Sequence, residues 1–126
     1  MTAQSALILF AHGARDPRWA APFQRLQQLV AAQLPALTVE LAYLELMTPQ
    51  LPDTVAALVA RGCTQLSVVP VFLGQGGHVL RDLPLILARL REDYPAVQID
   101  VAQAVGESEA VLHAIAQYCI AAAPSH

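Results

Sequence analysis

The chain has 126 residues, 56% of them hydrophobic and 13% charged, with a formal net charge of −3. That balance excludes intrinsic disorder, which needs few apolar residues and much charge, and the length fits one domain, residues 1–126, rather than two. Apolar runs such as Ala6–Ala11 fall far short of the roughly 20 residues a bilayer crossing needs, so no membrane segment is expected. The amino end, Met1-Thr2-Ala3-Gln4, lacks the positive charge of a secretory leader, and the cytoplasm is the expected location. All seven basic residues are arginines, too few for the extended basic face that nucleic acid requires. Cys63 and Cys119 are unclustered and lie in segments expected to be core, which reads as two buried reduced thiols.

Apolar runs and helical periods alternate four times. The run Ala6–Ala11 predicts a first strand, and Phe23, Leu26, Val30 and Leu34 give a helix that Pro35 stops. A second strand over Thr38–Leu44 leads to a helix opening around Thr48-Pro49, with Leu51, Val55, Leu58 and Val59 on one face and Gly62 at its end. The third strand, Leu66–Leu73, is the most apolar segment. After the loop Gly74–His78 comes a helix carrying Leu83, Ile86, Leu87, Leu90 and Tyr94. Val97–Val101 is the fourth strand, and Val111, Leu112, Ile115 and Cys119 mark the last helix. This alternation predicts an α/β fold with a parallel sheet covered by helices on both faces.

Burial patterning orders the strands. Strands one and three are almost continuously apolar, as central strands are when both faces are covered. Glu40 on strand two, and Gln98 and Asp100 on strand four, suit the edges. With right-handed crossovers the order is 2-1-3-4, and a crevice opens between strands one and three, at the switch point where such sheets bind ligands.

Two segments leaving those central strands share one pattern. His12-Gly13-Ala14-Arg15-Asp16 and His78-Val79-Leu80-Arg81-Asp82 both read His-x-x-Arg-Asp, and a proline expected to open a helix follows each. In this order two histidines and two arginines face one another across the crevice, a geometry for metal or proton chemistry on an anionic substrate. Asp16 and Asp82 are expected to cap helices and orient the adjacent Arg. Gly74, Gly76 and Gly77 form a tight turn or let the backbone approach a flat ligand. Glu45, within Leu44-Glu45-Leu46-Met47, is either a desolvated carboxylate suited to proton exchange or a solvated loop residue. Trp19 walls the crevice or anchors a helix start; His113 and His126 read as surface residues. Two imidazoles suit divalent cobalt, nickel or iron, whereas a closed structural zinc site would want four regularly spaced ligands. No nucleotide-binding fingerprint occurs.

The stretches Phe10-Ala11-His12-Gly13-Ala14-Arg15-Asp16-Pro17, Leu44-Glu45-Leu46-Met47-Thr48-Pro49 and Pro70–Pro84 resemble the sirohydrochlorin chelatase family, and above all its small, CbiX-type members. Ala14 stands where many members have Ser. The resemblance implies a chelatase fold and insertion of a divalent metal into sirohydrochlorin without ATP, cobalt being the first expectation and nickel or iron the others. Long members carry two such halves in tandem, so a homodimer is implied. By motif, His12 and His78 become the metal-binding and proton-accepting pair, with Glu45 as acidic helper. Arg15, Arg18 and Arg81 suit the carboxylate fringe of the macrocycle, since guanidinium forks bind carboxylates bidentately. Leu44, Met47, Phe72 and Leu73 are expected to line the ring faces. Two other functions use the same crevice: a non-catalytic metal or tetrapyrrole carrier, and a phosphoryl-transfer enzyme with His12 as nucleophile. The latter wants an Arg directly before the His, and Ala11 stands there.

Overall fold

The structure, a computed structural model, describes residues 4–74 and 77–125, with the side chains of Gly77, His78 and Leu80 outside that description. Four strands, β1 (Gln4–Ala11), β2 (Thr38–Tyr43), β3 (Cys63–Pro70) and β4 (Gln98–Val101), form one sheet in the order β2-β1-β3-β4. Every pairing is parallel. Four α-helices connect or follow them: α1 (Ala21–Gln33), α2 (Leu51–Ala60), α3 (Gly77–Asp93) and α4 (Glu109–Ala122). Short 3-10 turns at Pro17–Ala20 and Val105–Glu107 precede α1 and α4.

Alternation along the strands makes two cores. Ile8 and Phe10 of β1, with Leu66 and Val68 of β3 and Ile99 of β4, meet Leu51, Val55 and Leu58 of α2 and Leu83, Leu87 and Leu90 of α3. On the other face Leu9 of β1 and Val39, Leu41 and Tyr43 of β2 meet Phe23, Leu26 and Val30 of α1. Phe10 and Phe72 pack edge to face at 5.8 Å, an arrangement that stabilises by roughly 0.5–1.5 kcal/mol beyond the area buried. The edge strands are those their polar residues mark. Glu40 on β2 lies 3.5 Å from Arg61, and Gln98 on β4 donates to Asp100.

The chain departs from its sequence pattern at several points. α2 begins at Leu51, not at Thr48-Pro49, because the Pro49 carbonyl accepts from the Tyr43 amide and Gln50 bridges Tyr43, prolonging the β2 edge. β3 ends at Pro70, three residues before the apolar run does; only Val71 still donates to β1, at the Phe10 carbonyl. α3 begins at Gly77, so the second His-x-x-Arg-Asp segment is helical, Asp82 lies within the helix rather than capping it, and Pro84 is internal. The last helix does not join either core. Cys119 is exposed, unlike buried Cys63, and no residue of α4 is buried. No helix among the described residues is long and apolar enough to cross a membrane.

Tyr43 is buried against Trp19, and burial pushes its phenol above the usual range. An unfolded tyrosine ionises near pH 10, so this group contributes stability that is complete below about pH 10 and is lost as pH rises further. Denaturant unfolding at alkaline pH is expected to show that loss, and Tyr43→Phe to flatten it.

Candidate functional site

The carboxyl ends of the two central strands are tied to their neighbours beyond the last formal pairs. Leu44 N–H donates to the Ala11 carbonyl at 2.9 Å, Glu45 N–H to the His12 carbonyl at 3.1 Å, and Val71 N–H to the Phe10 carbonyl at 2.8 Å. The segments after β1 and β2 therefore run side by side as far as His12 and Glu45.

Gly13 permits that approach. Its φ is +101°, and a Cβ there would run into the Glu45 carbonyl oxygen. Leu46 follows with φ of 68°, a left-handed turn that side-chain-bearing residues seldom adopt outside constrained sites. Together these turns bring Glu45 back towards β1. His12 Nε2 and Glu45 Oε1 lie 3.2 Å apart, with 44% and 42% of the side chains exposed. The Glu45 carboxylate is thus half-open to solvent and not enclosed by the apolar residues around it. With the carboxylate ionised, Nε2 carries the ring hydrogen and donates to Oε1. The contact between these two residues, thirty-three apart in sequence, has no local signal; the strand order alone places their segments side by side.

Across the β1–β3 boundary, the path from Pro70 reaches Phe72, Leu73 and Gly74, and α3 carries His78 in its first turn. The expected meeting of the two imidazole rings lies outside the described side chains, as does Gly76; Gly77 is placed only as the start of α3. Gly106, in the turn after β4, is packed against this path. Its N–H donates to the Phe72 carbonyl at 2.9 Å, and a Cβ on it would strike the Leu73 carbonyl. Neither glycine clasp is evident from spacing. The only hint at Gly13 is a glycine directly after a strand-end histidine.

The other candidates divide. Leu44 and Phe72, expected to line a ring, are turned into the core. Met47 is half-buried against the α1-side cluster, while Leu73 and Gly74 are exposed. Trp19 packs on Phe23 at 4.4 Å and anchors the start of α1. Asp16 caps the Pro17–Ala20 turn by accepting from Arg18 N–H, but it grips Arg18 and not its neighbour Arg15. Arg18 Nε lies 3.1 Å from both carboxylate oxygens, and Nη2 lies 2.7 Å from Oδ2. That fork holds the Asp16 carboxyl below the usual carboxylate range and raises Arg18 further. Arg15 and Arg81 are exposed. A hollow of about 720 Å³ opens at the opposite, amino edge of the sheet, between Gln4, Ser5 and residues 33–38. The residues that line it carry no titratable side chain.

Comparison with known proteins bears on this edge. The CbiX family model matches residues 6–122. Sirohydrochlorin cobaltochelatase of Methanocaldococcus jannaschii is 32% identical over 89 residues, 71% of this chain and 62% of that protein. Sirohydrochlorin ferrochelatase of Bacillus subtilis is 27% identical over 112 residues, 89% of this chain and 43% of that protein. The chain therefore spans about half the length of the curated relatives it matches. Among solved structures, a CbiX protein from Marinobacter aquaeolei VT8 superposes with a TM-score of 0.82 at 31% identity, covering 93% of this chain and 95% of that one. The sirohydrochlorin chelatase SirB of Bacillus subtilis subspecies spizizenii, in complex with cobalt, gives 0.79 at 26% identity, covering 94% of this chain and 50% of that one.

Gly13→Ala is expected to cost more than the about 1–3 kcal/mol of one residue forced into a disfavoured backbone region, because the added Cβ also displaces the Glu45 carbonyl. Urea unfolding measures that loss. A change in the His12 ring signals by NMR, relative to wild type, reports the separation from Glu45.

Proposed function

We propose that this chain, which belongs to the CbiX family, is a metallochelatase that inserts a divalent cation, cobalt before iron or nickel, into sirohydrochlorin. The observation that carries the reading is the His12–Glu45 contact at the carboxyl end of a central strand, in a chain whose relatives are named for cobalt and iron chelation of that tetrapyrrole. The metal is a substrate. One divalent ion enters the ring and two pyrrole N–H protons leave, so the net charge balances; insertion without ATP is what the resemblance to the chelatase family implies.

His12 and Glu45 supply the proton chemistry. A neutral imidazole accepts a pyrrole proton at its lone-pair nitrogen, and the carboxylate at 3.2 Å stabilises the imidazolium that forms. One nitrogen cannot hold a metal and take a proton at once. His78, at the start of α3, is assigned as the second group, so that one ring presents the metal while the other removes protons. Arg15 and Arg81 are assigned to the carboxylate fringe of the substrate; Arg18, already forked on Asp16, is a weaker candidate for that role. Leu73, exposed beside Gly74, offers apolar surface to the ring face. Burying part of a macrocycle at about 25 cal/mol per Å² supplies several kcal/mol that can offset ring bending. The working form in this reading is a cytoplasmic homodimer, as the resemblance to the small members of the family implies.

Spectrophotometric insertion assays with cobalt, iron and nickel test the reading, with the spontaneous rate as baseline. His12→Ala and His78→Ala are expected to remain folded and to lose about 100-fold or more in kcat, the range of general-base catalysis. A wild-type rate equal to the spontaneous one overturns the assignment. Arg81→Ala is expected to raise KM more than it lowers kcat, since fringe contacts act in ground and transition states alike.

A further inference from the structure

One turn at the carboxyl edge of the sheet is not explained by folding alone. Leu46 has φ of 68°, and among the described residues it is the one non-glycine residue with positive φ. Turns of that hand usually fall to Gly, Asn or Asp, which adopt them at little cost. Leucine adopts the same backbone against a steric penalty from its Cβ. Burial does not offset that penalty. Continued extended backbone would put Leu46 on the same face as Leu44, which is in the core. The left-handed turn breaks that alternation, and Leu46 is 55% exposed and belongs to neither apolar cluster. A residue that is strained and also leaves an apolar side chain in water weakens the native chain twice. Such residues persist at sites where a ligand uses them.

Its position indicates the use. Leu46 directly follows Glu45, whose N–H donates to the His12 carbonyl and whose Oε1 lies 3.2 Å from His12 Nε2. In the order β2-β1-β3-β4 the segment carrying Leu46 leaves β2 on one side of His12, and the segment carrying Leu73 leaves β3 on the other. Leu73 is 67% exposed. Two exposed leucines thus flank the imidazole–carboxylate pair, at the end of the sheet where open α/β folds take ligands. The other apolar candidates of these segments are withdrawn, Leu44 and Phe72 into the core and Met47 against the α1-side cluster.

We infer that Leu46 is a substrate-binding residue whose side chain meets the apolar face of the tetrapyrrole beside His12 and Glu45. The inference rests on the chelatase reading and deepens it by naming a residue that takes the ring. The macrocycle is apolar across its ring and charged at its fringe. Leu46 and Leu73 meet the first, while Arg15 and Arg81 meet the second.

Absorbance titration of metal-free sirohydrochlorin into the full chain tests it, using wild type, Leu46→Asn, Leu46→Gly and Leu46→Met, with urea unfolding of each. Asn and Gly both accept positive φ, so they relieve the strain while removing the apolar group. Their Kd is expected to rise about tenfold, with a urea midpoint equal to or above that of wild type. Leu46→Met keeps the apolar contact and is expected to bind within about threefold of wild type. An unchanged Kd in the Asn and Gly variants overturns the contact and leaves the chelatase reading standing. Weaker binding with a lowered urea midpoint in both also overturns it, because a purely structural residue behaves in that way. A wild type that does not bind sirohydrochlorin overturns both readings. Binding that depends on Leu46, in a wild type that inserts metal no faster than the spontaneous rate, upholds the contact and overturns chelation.

Discussion

How closely two backbone segments can approach at the carboxyl end of the sheet sets the geometry of the site. At Gly13 the approach leaves no room for a Cβ against the Glu45 carbonyl. The hydrogen bond from Glu45 N–H to the His12 carbonyl fixes the register. Once the backbones are that near, the imidazole and carboxylate meet at 3.2 Å without either side chain having to be buried. A half-exposed pair of this kind adds little stability by itself, about 1 kcal/mol at most. In the proposed reaction its value lies in position: main-chain contacts bring the His12 ring and the Glu45 carboxylate together before substrate arrives.

The same device recurs on the other side of the crevice. Gly106 stands to the Leu73 carbonyl as Gly13 stands to that of Glu45. The path after β1 is thus pinned through its own Gly13 against Glu45, and the path after β3 through Gly106 of a neighbouring segment. The first pin belongs to the β1–β2 half of the sheet. The second belongs to the turn after β4, next to α4.

Most of the architecture was legible because it rests on period and polarity. Glu40 on β2, and Gln98 and Asp100 on β4, mark the edge strands in the sequence itself, and the order β2-β1-β3-β4 follows. Readings failed where a local rule met a non-local contact. The proline in Thr48-Pro49 looks like a helix opener, but its carbonyl is taken by Tyr43 and the helix waits for Leu51. Pro84, read as a helix start, sits inside α3. Asp16 caps as its type dictates, yet it chooses Arg18 because the tight turn brings that guanidinium within reach. Leu44 and Phe72 have the composition of a ligand wall and are core residues. The spacing of Val111, Leu112, Ile115 and Cys119 correctly gives a helix, but spacing does not say whose surface covers it. The His12–Glu45 contact depends on two backbone turns, at Gly13 and Leu46, that no periodicity encodes.

The two outer strands are blunted differently from α4. On β2, Glu40 projects a charge that Arg61 accompanies at 3.5 Å; on β4, Gln98 and Asp100 satisfy one another along the strand. Such borders discourage the stacking of ladder upon ladder by which sheet proteins grow into fibres. With both rims guarded in this way, lateral growth of the sheet is disfavoured at either end.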